Sequence, residues 1–407
     1  MNAEMKERIK MINKGGIPTG YKKTKVGIIP EDWEVKKLGE IANVLRGASP
    51  RPINDSRWFD DESYVGWVRI SDVSKSNKVL VKTEQYLSSK GIEKSRLVYK
   101  NNIIMSICAT VGKPIFTGID VCIHDGFVVF NGLCIDKFFF YYLLLAKEDC
   151  WSKYGQVGSQ MNLNTNIVGN EKVVIPKSRQ EQQKIAHILS TWDNAIELKE
   201  KLIVSKKEQK KVLMQNLLTG KVRLPGFDGE WKEVRLGGIC IIKKGEQLNR
   251  EHLTDKGNYY ALNGGINPSG YTDDWNTPKN TISISEGGES CGYIRFNYER
   301  FWSGGHCYTL HELSNKINSF FLYQMLKNKE KEIMELRVGS GLPNIQLKEL
   351  KKFLIKLPST PEQQAIANIL STADKEIELL NEEIDMLKEQ KKGLMQLLLT
   401  GIVRVQV

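Results

Sequence analysis

The side chains of this sequence that could do chemistry are arginine, asparagine, glutamine, lysine and serine gathered in polar loops, and the chemistry they suit is reading and holding a polyanion. The first half offers Arg46-Gly47-Ala48-Ser49-Pro50-Arg51, then Arg57-Trp58, Arg69 with Ser71, and the stretch from Gln156 to Asn164, where Gln156, Ser159, Gln160, Asn162 and Asn164 are the candidates. The second half offers Lys243-Lys244-Gly245-Glu246-Gln247, the stretch from Asn263 to Tyr271 with Asn267 inside it, Trp275 and Arg295. Arg, Asn and Gln make paired hydrogen bonds to guanine and adenine edges, whereas Lys, Ser and the amides of Gly-rich loops hold phosphate. Taken singly, each residue reads equally well as an ordinary solvated loop residue; the nucleic-acid reading rests on the set.

Motifs for catalysis do not emerge. Gly15 to Gly20 is followed by Tyr21 and so is not a phosphate loop. Asn267-Pro268-Ser269-Gly270 fails the Asn-Pro-Pro-aromatic pattern of amino-methyltransferases. Pro30-Glu31-Asp32 with Glu34-Val35-Lys36 imitates fragments of a nuclease motif, but its acids stand too close together to sit on separate strands. His306, Cys307 and His311 match no standard zinc spacing and read as a buried strand with incidental His and Cys, so no metal is expected.

Bulk properties agree with a polyanionic partner. The 407 residues carry a formal net charge of +11, enough chain for two or three domains and enough positive charge to favour nucleic acid. Seven cysteines, odd in number and without a C-x-x-C pair, fit a reducing cytoplasm. The apolar run Phe138 to Ala146 is far short of the roughly 20 residues that span a bilayer, and reads as a buried helix.

Something must position these loops, and the sequence writes it twice. Glu181 to Leu224 and Glu362 to Val405 are identical at about 28 of roughly 44 aligned positions, an internal duplication. In the second copy Ile366, Leu370, Ala373, Ile377, Leu380, Ile384, Leu387, Leu394 and Leu398 fall on steps of four and three, the seam of a left-handed coiled coil. The first copy keeps Ile185, Leu189, Trp192, Ile196, Ile203, Leu213 and Leu217 but places Lys199, Lys206 and Lys210 on the same line, where their stems lie along the seam and their charges reach water. Two imperfect seams in one chain pack most economically on each other. Ser178 with Glu181, and Thr360 with Gln363, have capping-box spacing, and Gly220 and Gly401 are helix stops. A helix of about 38 residues would span about 57 Å, the length of a spacer rather than of a core helix. The second copy is net acidic, so the nucleic-acid surface belongs to the other segments.

The duplication extends beyond the helices. Trp33 to Ile41 corresponds to Trp231 to Ile239, Ile103 to Ile107 to Thr281 to Ser285, and Phe138 to Leu145 to Phe320 to Leu326, giving a mixed α/β globule followed by a long helix, twice. Pro30-Glu31-Asp32-Trp33 with Leu38-Gly39-Glu40-Ile41, the Ile-Pro or Leu-Pro entry to Glu-Gln-Gln-x-Ile-Ala, and the Leu-Leu-Thr-Gly endings make the whole chain resemble the specificity subunit of type I DNA restriction-modification enzymes.

That resemblance implies two target-recognition domains joined and separated by two antiparallel coiled-coil helices, with pseudo-twofold symmetry. The expected layout is an N-terminal arm over 1–29, recognition domain 1 over 30–177, spacer helix 1 over 178–222, recognition domain 2 over 223–358 and spacer helix 2 over 359–407. It also implies a non-catalytic subunit that binds double-stranded DNA with a bipartite target and docks two modification subunits and the restriction subunits. S-adenosylmethionine, ATP and Mg would belong to those partners, and no membrane is involved. The arm would pack near the far end of the second helix. Two other readings remain open: a stand-alone enzyme of a related system, and a coiled-coil architectural DNA-binding protein without enzyme partners.

Overall fold

The computed structural model describes residues 3–154, 163–339, 341 and 343–406. It divides into two compact units, unit 1 comprising Met1–Glu197 with Asp385–Val407 and unit 2 comprising Leu198–Ile384. Both are mixed α/β.

Unit 1 holds a five-stranded sheet in the order Asn43–Arg46, Phe127–Asn131, Ile103–Ser106, Pro114–Thr117, Val79–Leu80, and a four-stranded sheet in the order Gln85–Tyr86, Gly66–Val68, Val121–Ile123, Arg96–Val98. Strands Ile103–Ser106 and Pro114–Thr117 are buried along their whole length, which explains their nearly continuous apolar sequence. Unit 2 repeats the plan with Ile241–Lys244, Cys307–His311, Thr281–Ser285 and Ile294–Asn297 in one sheet, and Gly270–Thr272, Tyr259–Leu262 and Trp302–Ser303 in the other. The registers coincide. Arg46 lies opposite Val128 as Lys244 lies opposite Tyr308, and Ser106 pairs with Phe127 as Ser285 pairs with Cys307.

A short apolar helix covers each larger sheet. Lys137–Ala146 buries Phe139, Phe140, Tyr142 and Leu144 and is capped by Asp136, whose carboxylate accepts from the Phe139 amide; Ser319–Asn328 is capped in the same way by Asn318.

The long helices are Arg179–Leu217 and Thr360–Leu399. Within unit 1 the first turns of one and the last turns of the other share a core through Ile185, Leu189, Leu394 and Leu398, and Lys391 pairs with Asp193. Within unit 2 they run antiparallel, because Lys199, Lys206 and Lys210 meet Glu383, Glu376 and Asp374 at 2.8, 2.6 and 2.5 Å. These seam lysines therefore end on carboxylates of the acidic second helix instead of reaching out to water. Ile196, Ile203, Leu217, Ile366, Leu370 and Ile384 are buried, and Trp192, Ile377, Leu380 and Leu387 are half-buried. Leu213 departs from the expected seam: it is 37% exposed, and Met214, Leu217 and Leu218 face the core. A helix with 3.6 residues per turn drifts by about 20° per heptad from a strict seven-residue stripe, so by its last turns the buried face has moved on.

Each long helix starts on a buried carboxylate. Glu181, whose side chain is 2% exposed, accepts from Arg404 Nε at 2.7 Å, Arg404 Nη2 at 3.1 Å and the Trp33 indole at 3.2 Å. In unit 2 Glu362 accepts a two-pronged bond from Arg223 at 2.7 and 2.8 Å. The next residue, Gln182 or Gln363, donates to the carbonyl of the entering Pro176 or Pro358 and accepts from the Asp136 or Asn318 amide. This defines the helix starts differently from a capping box. Ser178 does accept from the Glu181 amide, but the Glu181 carboxylate turns to Arg404, and Thr360 donates to the Lys316 carbonyl.

Both helices stop at a glycine with φ of +71°, Gly220 and Gly401, and a Cβ on Gly401 would come within 2.6 Å of Pro30. Tyr21 donates to the Gly401 carbonyl at 2.9 Å, so the N-terminal arm packs on the end of the second helix within unit 1. Among the described residues no helix is long and apolar enough to cross a membrane.

Two outcomes follow for stability. Arg404→Ala leaves the Glu181 carboxylate buried without its cation and should cost about 3 kcal/mol, whereas Arg404→Lys keeps a charge and should cost less, both read by urea unfolding. Burial pushes the Asp193 carboxyl up, but the Lys391 and Tyr142 hydrogen bonds and the Lys78 charge outweigh it and hold it below the usual carboxylate value. A depressed carboxylate adds stability that is present above its unfolded value, about 4, and is lost as pH falls through the folded one. Thermal midpoints measured from pH 7 to pH 3 should therefore fall on the acid side, and less steeply for Asp193→Asn.

Candidate nucleic-acid interface

In unit 1 the strand ends gather the candidates. Val68 and Ile123 are opposite each other in parallel strands, so the residues that follow, Arg69 and His124, leave the sheet side by side. Strand Asn43–Arg46 ends against the start of Phe127–Asn131. Gly47 closes this corner. A Cβ there would meet the His124 carbonyl at 2.0 Å, so only glycine lets the chain lie against the turn.

Asp125 organises what stands on that corner. Arg46 Nε donates to its carbonyl at 2.8 Å, Ser49 Oγ donates to its carboxylate at 3.0 Å, and Arg51 lies 3.6 Å from its other oxygen. Burial acts to raise the Asp125 carboxyl, but the Ser49 hydrogen bond, its own amide and the His124 and Arg46 charges leave it below the ordinary value. His124 accepts from the Gly126 amide through Nδ1 at 2.9 Å, and burial lowers its pKa against the opposing pull of Asp125.

Arg69 is held by Gln85 Oε1 at 3.0 and 2.8 Å, and Ser71 is exposed on the short helix Ile70–Lys75 beside it. Arg57 stands apart, pairing with Asp55 and stacked over Trp58 at 4.3 Å. Asn164 uses its side-chain oxygen to cap helix Thr165–Asn170, which gives it a local structural role. Gln156, Ser159, Gln160 and Asn162 lie outside the described residues.

Unit 2 builds the corresponding corner with other residues. A Cβ on Gly245 would meet the Gly304 carbonyl at 2.3 Å. Lys244 reaches Glu286 Oε1 at 2.6 Å, Tyr308 Oη donates to the same oxygen at 3.2 Å, and His306 Nδ1 lies 3.6 Å from Oε2. Burial, reinforced by Glu286, pushes the Tyr308 phenol up to about 12. Asn263 Oδ1 accepts from the His306 amide at 3.2 Å, and Gln247 flanks Gly305. Arg295 lies over Tyr260 at 5.1 Å and donates to the Ile266 carbonyl at 3.4 Å, next to Gly264 and Gly265. Asn267 is exposed in the neighbouring loop. Lys243 points to Glu312 at 3.9 Å, and Tyr271 belongs to the smaller sheet, 39% exposed.

The acids at these corners, Asp125 and Glu286, and the Gln85 that steadies Arg69 escape a search for basic and amide side chains. The one signal for Glu286 is internal: the strand that reads Ile-Met-Ser-Ile in the first half ends Ile-Ser-Glu in the second. Among the described residues no group of three or more His, Cys, Asp or Glu could hold a metal ion.

Comparison with known proteins bears on the whole arrangement. A family model described as the type I restriction modification DNA specificity domain matches residues 30–205 and 228–389. A putative type I specificity subunit of Mycoplasma pneumoniae is 41% identical over 171 residues, 42% of this chain and 45% of that protein. The match to its Mycoplasma genitalium relative likewise spans 41% of that protein, so these stretches cover less than half of either relative. A putative type I restriction enzyme specificity subunit of Methanocaldococcus jannaschii is 27% identical over 95% of this chain and 97% of its own. The crystal structure of the S subunit of a type I restriction-modification system from M. genitalium has a TM-score of 0.59 at 20% identity, covering 90% of this chain and 96% of that one, a likeness of fold.

The corner of unit 1 can be tested directly by the ring of His124. Its NMR titration midpoint should lie below the ordinary 6.5, and Asp125→Asn, by removing the charge that opposes the shift, should lower it further. A midpoint at or above 6.5 would mean that the pull of Asp125 outweighs burial.

Proposed function

The chain belongs to the type I restriction-modification DNA specificity family, and we propose that it is the subunit that chooses the target, unit 1 reading one half of a split double-stranded DNA sequence and unit 2 the other. The observation that carries this reading is one framework used twice with different corners. Strand registers, buried Glu–Arg pairs and helix stops recur, while Arg46, Ser49 and Arg51 around Asp125 give way to Lys244, Gln247 and Asn263 around Glu286 and His306. Guanidinium and amide groups fixed at the end of a sheet suit base edges in the major groove, and lysines beside them suit phosphate.

In this reading the chain carries no catalysis of its own and works in the cytoplasm. Two modification subunits docked on it supply adenine methylation with S-adenosylmethionine, and restriction subunits supply ATP- and Mg-dependent cleavage. A solved type I system, described as showing complex assembly and conformational transition, shares the fold at a TM-score of 0.61 and 17% identity, which supports a chain built for assembly.

Co-expression with the cognate modification subunit, followed by sequencing of methylated DNA, tests the proposal. Replacing Trp33–Pro176 with the corresponding segment of a relative should change one half of the methylated motif and leave the other intact; a change in both halves would overturn it. Lys244→Ala should weaken binding to the duplex carrying both halves and reduce its slope of log K against log salt by about one.

A further inference from the structure

We infer that Glu286 is a specificity-determining positioning residue of unit 2, holding Lys244 beside His306 in the arrangement in which they meet DNA. The inference rests on the reading of unit 2 as a DNA-recognition domain.

The same place in the other half of the chain holds an apolar residue. Ser106 and Ser285 occupy equal register positions, and the residues after them make the same bond: the Ile107 amide donates to the Gly126 carbonyl at 2.8 Å, and the Glu286 amide to the His306 carbonyl at 2.9 Å. The carbonyls match as well, accepting from the Leu163 and Ile345 amides at 2.8 Å. Glu286, one residue beyond the partner that the sequence correspondence of Ile103–Ile107 with Thr281–Ser285 assigns, is thus the counterpart of Ile107, an aliphatic core residue 1% exposed. This backbone accepts isoleucine there, so the framework does not require a carboxylate.

A carboxylate at such a place is expensive unless it serves another group. The Glu286 side chain is 12% exposed, and a carboxylate out of water destabilises the fold until its partners offset the loss of hydration. Its partners face the candidate surface: the ammonium of Lys244, half exposed at 51%, and the ring of His306, exposed at 61%. Tyr308 needs no carboxylate, since its hydroxyl also lies 3.0 Å from the Ile345 carbonyl. Glu286 therefore does little for the interior and much for the rim. A lysine free to swing follows any phosphate; one tied at 2.6 Å to a buried oxygen has one place to stand, and duplexes that do not offer a partner there lose its contribution.

Two substitutions separate this role from a structural one. Glu286→Gln keeps the shape and removes the charge, and Glu286→Ile installs the residue of the other half. Each full-length variant is co-expressed with the modification subunit and its methylated motif sequenced. The same complexes are titrated with the cognate duplex, with duplexes carrying one changed base pair in either half, and with a duplex lacking both halves. The expected result is a thermal midpoint equal to or above wild type for Glu286→Ile and a fall of about tenfold in discrimination in the unit 2 half alone. Affinity for the duplex lacking both halves should rise, with a salt slope steeper by about one, because a negative charge has been removed from beside Lys244.

A structural role predicts the opposite sign, a lowered midpoint with all affinities falling together, and that result overturns the inference. So does an unchanged motif in both variants while the segment replacement in unit 1 still alters its own half, an outcome that leaves the two-half reading standing. A wild type that methylates no split motif overturns both.

Discussion

The structure depends on a carboxylate buried at the first turn of each long helix. Glu181 is not buried alone, because leaving its charge out of water without a cation would cost about 3 kcal/mol, a large share of what a domain has to give. Its requirement brings together the strand that carries Trp33, the start of one long helix and the Arg404 that follows the end of the other. Arg404 is itself shared with Asp32 at 2.8 and 2.9 Å, so the guanidinium is used on both edges. Unit 2 meets the same demand with Glu362 and Arg223, and there Arg223 lies over the ring of Trp231 as Arg404 lies over that of Trp33.

A second layer of charge sits further along. Asp193 is reached by Lys391, Lys78 and the Tyr142 hydroxyl, and Asp374 by Lys210 and the Gln324 amide. Tyr142 and Gln324 belong to the short apolar helices that back the larger sheets, so each sheet is tied to the long helices by a hydrogen bond as well as by its core. Such a bond removes one way for the sheet to slide on the helix. The strand ends on which the candidate residues stand inherit that fixity, and the loops beyond them can change residue by residue without disturbing what holds the unit together.

The duplication made the helices, their stops and the mixed α/β repeat legible from residue types alone, because periodicity and glycine placement are local properties. The purpose of Glu-Gln-Gln was not legible in the same way. Its repetition was plain, but Arg404 is 223 residues from Glu181, and no local pattern joins them. The seam lysines looked like solvated stems because their carboxylate partners sit on the other helix, and Leu213 looked buried because a heptad count ignores the drift of a straight helix. At the corners, residue types that attract a polyanion do not point to Asp125 and Glu286, the carboxylates to which Ser49 and Lys244 bond.

Two halves built on one framework differ at their corners without differing in fold. Unit 1 places its acid in the turn, at Asp125, and keeps isoleucine at the strand end; unit 2 has Gly305 in the turn and places its acid at the strand end, at Glu286. Both choices put a carboxylate at the corner, yet each stands beside different side chains: Ser49 and Arg51 in one, where Arg46 is held by the Asp125 backbone carbonyl, and Lys244 and His306 in the other. Moving an anion by one hydrogen-bonded pair of residues leaves every strand register unchanged and redirects the cations around it. An unpaired cation is indifferent to sequence, since every duplex presents phosphate, so a basic surface acquires preference only as its charges lose freedom. If the corners meet DNA as proposed, the acids there restrain the basic residues and so share in setting the target.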